Sequence, residues 1–265
     1  MVPDQLGSCT EFDVLKITPE RGEETRQLVA TEVPCTFVVN GAEVATILCT
    51  PTYLHEFAAG YLFTSGIIAS ADELQDFHCD QIKWRLDITT AKDADLELLG
   101  KRVYTSGCGK GVMYPNIIAL SSRYPLESDF SVSAEAVWQC LKKLLSGSAL
   151  YRDTHGVHTA AISLNGQLPD VLIDDIGRHN AVDKVIGHCL LSGFDFSHSM
   201  LLCTGRISSE ILHKARRASI PIVVSRGAST HQSLLLAREM GITLIGVARA
   251  GSFTIYSHHQ RIATT

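Results

Sequence analysis

The sequence predicts an α/β protein (α+β overall) in two unlike parts: a small N-terminal α+β domain over residues 1–104 and an α/β core over residues 105–265. Three observations carry this. Residues 30–50 alternate as two apolar runs around Asn40-Gly41. From residue 156 onward, short β-branched runs alternate with helix-length amphipathic stretches, as in strands joined by crossover helices. Each of the later strand runs is followed by a glycine adjoining or near an arginine.

The elements follow in order. CTFVV and EVATILC flank Asn40-Gly41, a strong hairpin signal. Leu54, Phe57, Ala58, Tyr61 and Leu62 recur at helical spacing, and Gly66 is the stop. Residues 70–104 read as further strand and turn. A helix is expected over 134–145 with Ser133 as its cap. GVHTAAISL and PDVLID read as strands. Asn180 is the expected cap of a helix whose Val182, Val185, Ile186, Cys189 and Leu190 share a face, closed by Gly193. MLLCT is a buried strand, followed by a helix capped by Ser208. PIVVS is another, followed by a helix capped by Thr230 and closed by Gly241. TLIGVA and FTIYS complete the set.

Composition narrows the function. The formal net charge is −5 and 19% of residues are charged, which argues against a nucleic-acid binder. The first residues carry an early acid and no apolar run, so no targeting signal is read there. No stretch reaches about 18 apolar residues, so no membrane helix is expected. Eight cysteines at irregular spacing, without a C-x-x-C pair, read as reduced thiols of a cytoplasmic protein. His258-His259 has no partner set for zinc, and no structural metal is expected. G-x-G-x-x-G, Walker A, G-x-S-x-G, HExxH and the zinc deaminase signature are all absent.

The informative residues stand after the strands: Asp175-Ile176-Gly177-Arg178-His179-Asn180, Thr204-Gly205-Arg206-Ile207-Ser208, Ser225-Arg226-Gly227-Ala228-Ser229-Thr230 and Arg249-Ala250-Gly251-Ser252. The carboxyl edge of an open α/β sheet is where ligands bind. Helix N-termini there present free N–H groups, and arginine pairs bidentately with phosphate. Four such loops together specify a polyanion site, a pyrophosphate or nucleotide. One such loop alone is ordinary βα chemistry. His179 and His158 join as candidates, each with packing as its plainer reading. Asp183 and Lys184 read as a helix-surface pair. Cys108 differs from the other cysteines: Thr105-Ser106-Gly107-Cys108-Gly109-Lys110-Gly111 is glycine-rich, and Lys110 with nearby amides favours thiolate. Its plainer reading is an incidental cysteine in a tight turn.

Several of these segments resemble the FdhD family of formate dehydrogenase accessory proteins. They are Asp175 to Gly187 (DIGRHNAVDKVIG), Thr204 to Glu210 with Lys214, and Ser225 to Thr230. Asn40-Gly41, Thr50-Pro51, Ala59-Gly60-Tyr61-Leu62, Gly66-Ile67-Ile68 and Gly156-Val157-His158 resemble it in the same order, so the likeness spans about residues 30–262. The resemblance implies a zinc-free core similar to cytidine deaminases, and a homodimer. It implies a sulfurtransferase: a cysteine desulfurase loads a loop cysteine as persulfide. The sulfur then passes to the molybdenum cofactor, bis-molybdopterin guanine dinucleotide, destined for formate dehydrogenase. By position Cys108 resembles the persulfide cysteine. Val247, Ala248, Arg249, Ala250, Gly251 and Ser252 resemble the cofactor-binding segment, and GDP would mimic the cofactor's nucleotide. The family loop reads C-G-x-C-G where this chain has Cys108-Gly109-Lys110-Gly111, so the second thiol is missing. That departure favours a second reading, a chaperone that binds the guanylated cofactor or GDP without covalent chemistry. A nucleotide hydrolase or deaminase fits the fold but lacks metal ligands and a base.

Overall fold

The computed structural model describes residues 7–92, 103–104, 112–113, 125–249 and 251–264. The chain opens with a two-stranded hairpin, β1 (Cys9–Ile17) and β2 (Gly22–Ala30). β3 (Val33–Val39) and β4 (Ala42–Cys49) form the expected hairpin. Asn40 and Gly41 both adopt positive φ, 48° and 83°, as a two-residue turn matched to strand twist requires. α1 (Leu54–Thr64) follows, then β5 (Leu74–Asp80) and β6 (Arg85–Thr90), completing a four-stranded sheet ordered β4-β3-β6-β5. The short strands β7 (Val103–Tyr104) and β8 (Val112–Met113) pair with each other. The expected domain boundary, between residues 104 and 105, falls at the edge of the described residues.

Next come β9 (Val132–Ser133), α2 (Ala134–Gly147), where Ser133 Oγ accepts the Ala136 N–H, and α3 (Ala149–Thr154). Then β10 (His158–Leu164), β11 (Ile173–Asp175), α4 (Arg178–Leu191), β12 (Ser199–Cys203), α5 (Ser209–Arg217), β13 (Ile222–Ser225), α6 (His231–Glu239), β14 (Thr243–Arg249) and β15 (Ser252–Ser257) follow. β16 (Ile262–Ala263) runs back to pair with β9. The six-stranded sheet is ordered β11-β10-β12-β13-β14-β15. β12, β13 and β14 are parallel to one another, and β10 and β15 run against them.

Side chains alternate across this sheet, as the two-residue period of a strand dictates. Leu201, Cys203, Val223 and Leu244 face a core shared with α1, α4, α5 and α6, whereas Met200, Leu202, Val224 and Ile245 face α2. The first of these cores runs without a break into Phe37, Phe57, Leu62 and Leu86 of the N-terminal unit. At the centre of that join, α1 and α4 cross backbone to backbone. A Cβ on Gly60 would stand 1.8 Å from the Asp183 carbonyl oxygen, and one on Gly187 would stand 1.9 Å from that of Glu56.

Three local expectations are corrected. Asn180 is not the cap of α4, which starts at Arg178 after Gly177; Asn180 lies in the first turn and its amide donates to Leu48 O and Asp175 Oδ1. Ser208 stands at the N-cap of α5 but makes no capping bond, because its hydroxyl engages His179. Asp183 and Lys184 are not a surface pair. Both are buried, each against a different partner: Asp183 with Lys214 at 2.8 Å and Lys184 with Asp175 at 2.6 Å.

Candidate functional site

Strand direction gathers the four arginine loops on one edge. β12, β13 and β14 end there with Thr204-Gly205-Arg206, Ser225-Arg226-Gly227 and Arg249. β10 runs the other way and begins there, placing His158 opposite Asp175. β11 ends there and leads into Gly177, Arg178 and His179. The sequence reading therefore describes a continuous rim, built from four consecutive strands and the one beyond them.

The loops are in contact. Arg178 lies across Gly205, where a Cβ would stand 2.8 Å from that of Arg178. Gly227 packs on the Gly205–Arg206 peptide, and a Cβ there would stand 2.9 Å from the Arg206 nitrogen. Glycine is needed at both places because the backbones touch. Ser225, fully buried, ties the two loops: its hydroxyl donates to Gly205 O at 2.6 Å and accepts from Gly227 N–H at 2.8 Å. Ile207 N–H donates to Ala228 O, and Thr230 N–H to Ile207 O.

Arg206, Arg226 and Arg249 are exposed, and Arg178 is half-buried. None of the four forms an ion pair among the described residues, and the buried Nε of Arg178 has no hydrogen-bond partner there. In a chain of net charge −5 this is a concentrated positive edge whose arginines pair with no acid among the described residues. Such an edge is complementary to phosphate oxygens.

Two histidines stand behind the arginines. His158 Nδ1 is 3.4 Å from Thr204 Oγ1, and burial, then Arg178, lowers its pKa. His179 Nε2 is 3.1 Å from Ser208 Oγ and 3.3 Å from Glu210 Oε2. Burial, with Lys214 and Arg178 adding to it, lowers His179 to about 3, so the ring is neutral at physiological pH. A neutral imidazole offers one donor and one acceptor to its surroundings.

The last part of β14 carries a β-bulge between Gly246 and Arg249, with Val247 at φ 51°. A β-branched residue at positive φ is costly, and such strain persists only where the surroundings hold it. The Val247 N–H donates to Gly227 O, fastening the bulge to the neighbouring loop. Ala248 is buried, Arg249 pairs with Ser252 across a tight turn, and Gly251 takes φ 90° there. Ala250 and Cys108 lie outside the described residues.

The candidates therefore separate. Arg178, Arg206, Arg226, Arg249, His158 and His179 stand at the edge. Asn180, Ser225 and Thr230 hold it together from within, Thr230 by capping α6 through the Ser233 N–H. The sequence places Thr50, Asp175, Ser208 and Glu210 within its motifs but assigns none of them a role at the site. One signal was available: a lysine at position 184 inside the apolar run AVDKVIG needs a buried acid. Among the described residues no group of three or more His, Cys, Asp or Glu is placed to hold a metal. None of the described helices is long and apolar enough to cross a membrane.

Fold and edge together define a mixed α/β protein whose strand ends form a cationic, glycine-lined rim. The model of the FdhD/NarQ family matches residues 30–263, and the chain belongs to that family. It is 36% identical over 247 residues to the sulfur carrier protein FdhD of Bacillus subtilis strain 168, covering 92% of this chain and 94% of that one. It is likewise 36% identical over 246 residues to the protein of the same name from Staphylococcus haemolyticus, covering 91% and 92%. A crystal structure from Desulfotalea psychrophila, provisionally assigned as a formate dehydrogenase accessory protein, superposes with a TM-score of 0.80. It does so at 26% identity, over 96% of this chain and 99% of that one.

Proposed function

We propose that this protein is a sulfur carrier that receives persulfide sulfur on Cys108 and passes it to a guanylated molybdenum cofactor, bound as substrate at the arginine rim, for use by formate dehydrogenase. The observation that supports it best is the rim itself, four arginines on one sheet edge without acid partners among the described residues. Bis-molybdopterin guanine dinucleotide is a polyanion, and its phosphates match those donors. In the loading step a cysteine desulfurase persulfide gives up its outer sulfur. The donor S–S bond breaks, a new one forms at Cys108 Sγ, and the donor cysteine leaves as thiolate. In the delivery step the Cys108 Sγ–S bond breaks with its electron pair staying on Cys108, which returns to thiolate, and the outer sulfur passes as sulfane sulfur to an acceptor that supplies the pair for the new bond. We place this work in the cytoplasm, in a homodimer.

The described cysteines leave room for such a role at position 108. Cys140, Cys189 and Cys203 are buried, and burial pushes Cys189 up to about 12 and Cys203 to about 11. Cys35 and Cys49 share a hydrogen bond that lowers the first and raises the second, but both are fully buried.

The second reading, a non-covalent chaperone, is favoured by the missing second loop cysteine. Complementation separates the two. Cys108→Ser should fail to restore formate dehydrogenase activity in cells lacking the native protein, while binding GDP as the parent does. Full restoration by the serine variant would establish the chaperone reading instead.

A further inference from the structure

Thr50, just after β4, engages α4 and the turn that opens it through all three of its polar groups. Its N–H donates to Asp175 Oδ2 at 3.1 Å, its hydroxyl accepts the Ile176 N–H at 3.1 Å, and its carbonyl accepts from Lys184 Nζ at 2.8 Å. Asp175 completes the arrangement. Its Oδ1 accepts the Gly177 N–H at 2.7 Å and the Asn180 amide at 2.9 Å, while Oδ2 pairs with Lys184 at 2.6 Å. Thr50, Asp175 and Lys184 are all 0% exposed.

Four donors converge on one carboxylate, so each oxygen is satisfied and the turn has one geometry. A buried ion pair is weak evidence for stability, since desolvation opposes it; its clearer effect is to select an arrangement. The residues that this arrangement fixes are Ile176 and Gly177, and the next two are Arg178 and His179. Gly177, the N-cap, has no side chain with which to fix the turn itself.

We propose that Thr50, backed by the Asp175–Lys184 pair, is a positioning residue of the rim: the end of β4 in the N-terminal unit sets where Arg178 and His179 stand. This rests on reading the rim as the anion site. The N-terminal unit is then part of the binding apparatus, although it contributes no group that touches the ligand.

The test compares Thr50→Val, which removes the hydroxyl, with Thr50→Ser, which keeps it. Two readouts are taken on the full chain: GDP affinity by calorimetry, and amide hydrogen exchange at residues 176–178 against 182–190. In the parent, the Ile176 and Gly177 amides should exchange slowly although they lie outside helix and strand; fast exchange there overturns the proposal at once. Thr50→Val should weaken GDP binding about tenfold, the loss expected when one charge-assisted contact is misplaced. It should also speed exchange at 176–178 and leave 182–190 unchanged, and Thr50→Ser should restore both. Parent-like behaviour of Thr50→Val, or uniform loosening of α4 that serine does not repair, contradicts the proposal. Thr50→Ala replaces the valine variant if that one does not fold. If the parent binds no GDP, the reading of the rim fails, and the exchange data alone decide the positioning role.

Discussion

At the scale of single residues, the rim makes two separable predictions. Arg206, Arg226 and Arg249 are exposed and without ion pairs among the described residues, so their removal disturbs no core. GDP should bind the parent with a Kd in the micromolar range, about −8 kcal/mol. Each arginine-to-alanine change should weaken it several-fold or more while the melting temperature of the ligand-free protein stays nearly constant. Calorimetry and thermal melts check both halves, and a GDP affinity that survives all three changes would remove the rim from the binding site. The second prediction concerns pH. His179 is held neutral, with a pKa lowered from 6.5 to about 3, and His213 is lowered by burial to about 4. As pH falls below 6.5 the unfolded chain takes up protons on these rings and the folded one does not. Stability therefore declines through that window, by about 1.4 kcal/mol per pH unit for each group. His179→Gln should show a shallower decline than the parent between pH 6.5 and 4 in urea titrations. Identical slopes would mean that His179 is charged in the folded protein.

At the scale of elements, the crossing of α1 on α4 is the feature with least tolerance. The oxygens that a methyl group at Gly60 or Gly187 would meet are backbone atoms, which no rotamer change can move aside. Gly60→Ala and Gly187→Ala should each cost about 3 kcal/mol or more, read as a lowered urea midpoint. A midpoint unchanged in both would show that the helices slide apart cheaply. This element also shows what a sequence exposes and what it hides. The hairpin at Asn40-Gly41, the helix stop at Gly66 and the caps Ser133 and Thr230 are local signals, and the folded chain uses each as read. Lys184 was misread because its partners, Thr50 and Asp175, come from elsewhere: Thr50 lies 134 residues away in sequence. No periodicity encodes such a contact. The hairpin β1–β2 went unread for a different reason. Its strands mix Phe12, Leu15 and Ile17 with acids on both faces and leave those apolar side chains exposed, so no buried stripe marks them.

At the scale of the molecule, the arrangement has one consequence. A single core joins the four-stranded and six-stranded sheets, and the cationic edge lies where α4, held by the first unit, meets α5, which in turn packs on α6. That the four arginine loops follow strands was legible, because the apolar runs before them mark those strands locally. Which loop residues face outward was not legible, since Ser225 and Asn180 look as available as Arg226 until their inward hydrogen bonds are known. On the proposed reading, this rim serves a sulfur relay centred on Cys108. It is tested most directly by incubating the purified protein with a cysteine desulfurase and cysteine, then mapping added sulfur by mass spectrometry without reductant. One extra sulfur atom is expected on the peptide carrying Cys108 and none on peptides carrying the buried Cys140, Cys189 or Cys203. An unmodified Cys108, or sulfur found only at another cysteine, contradicts it.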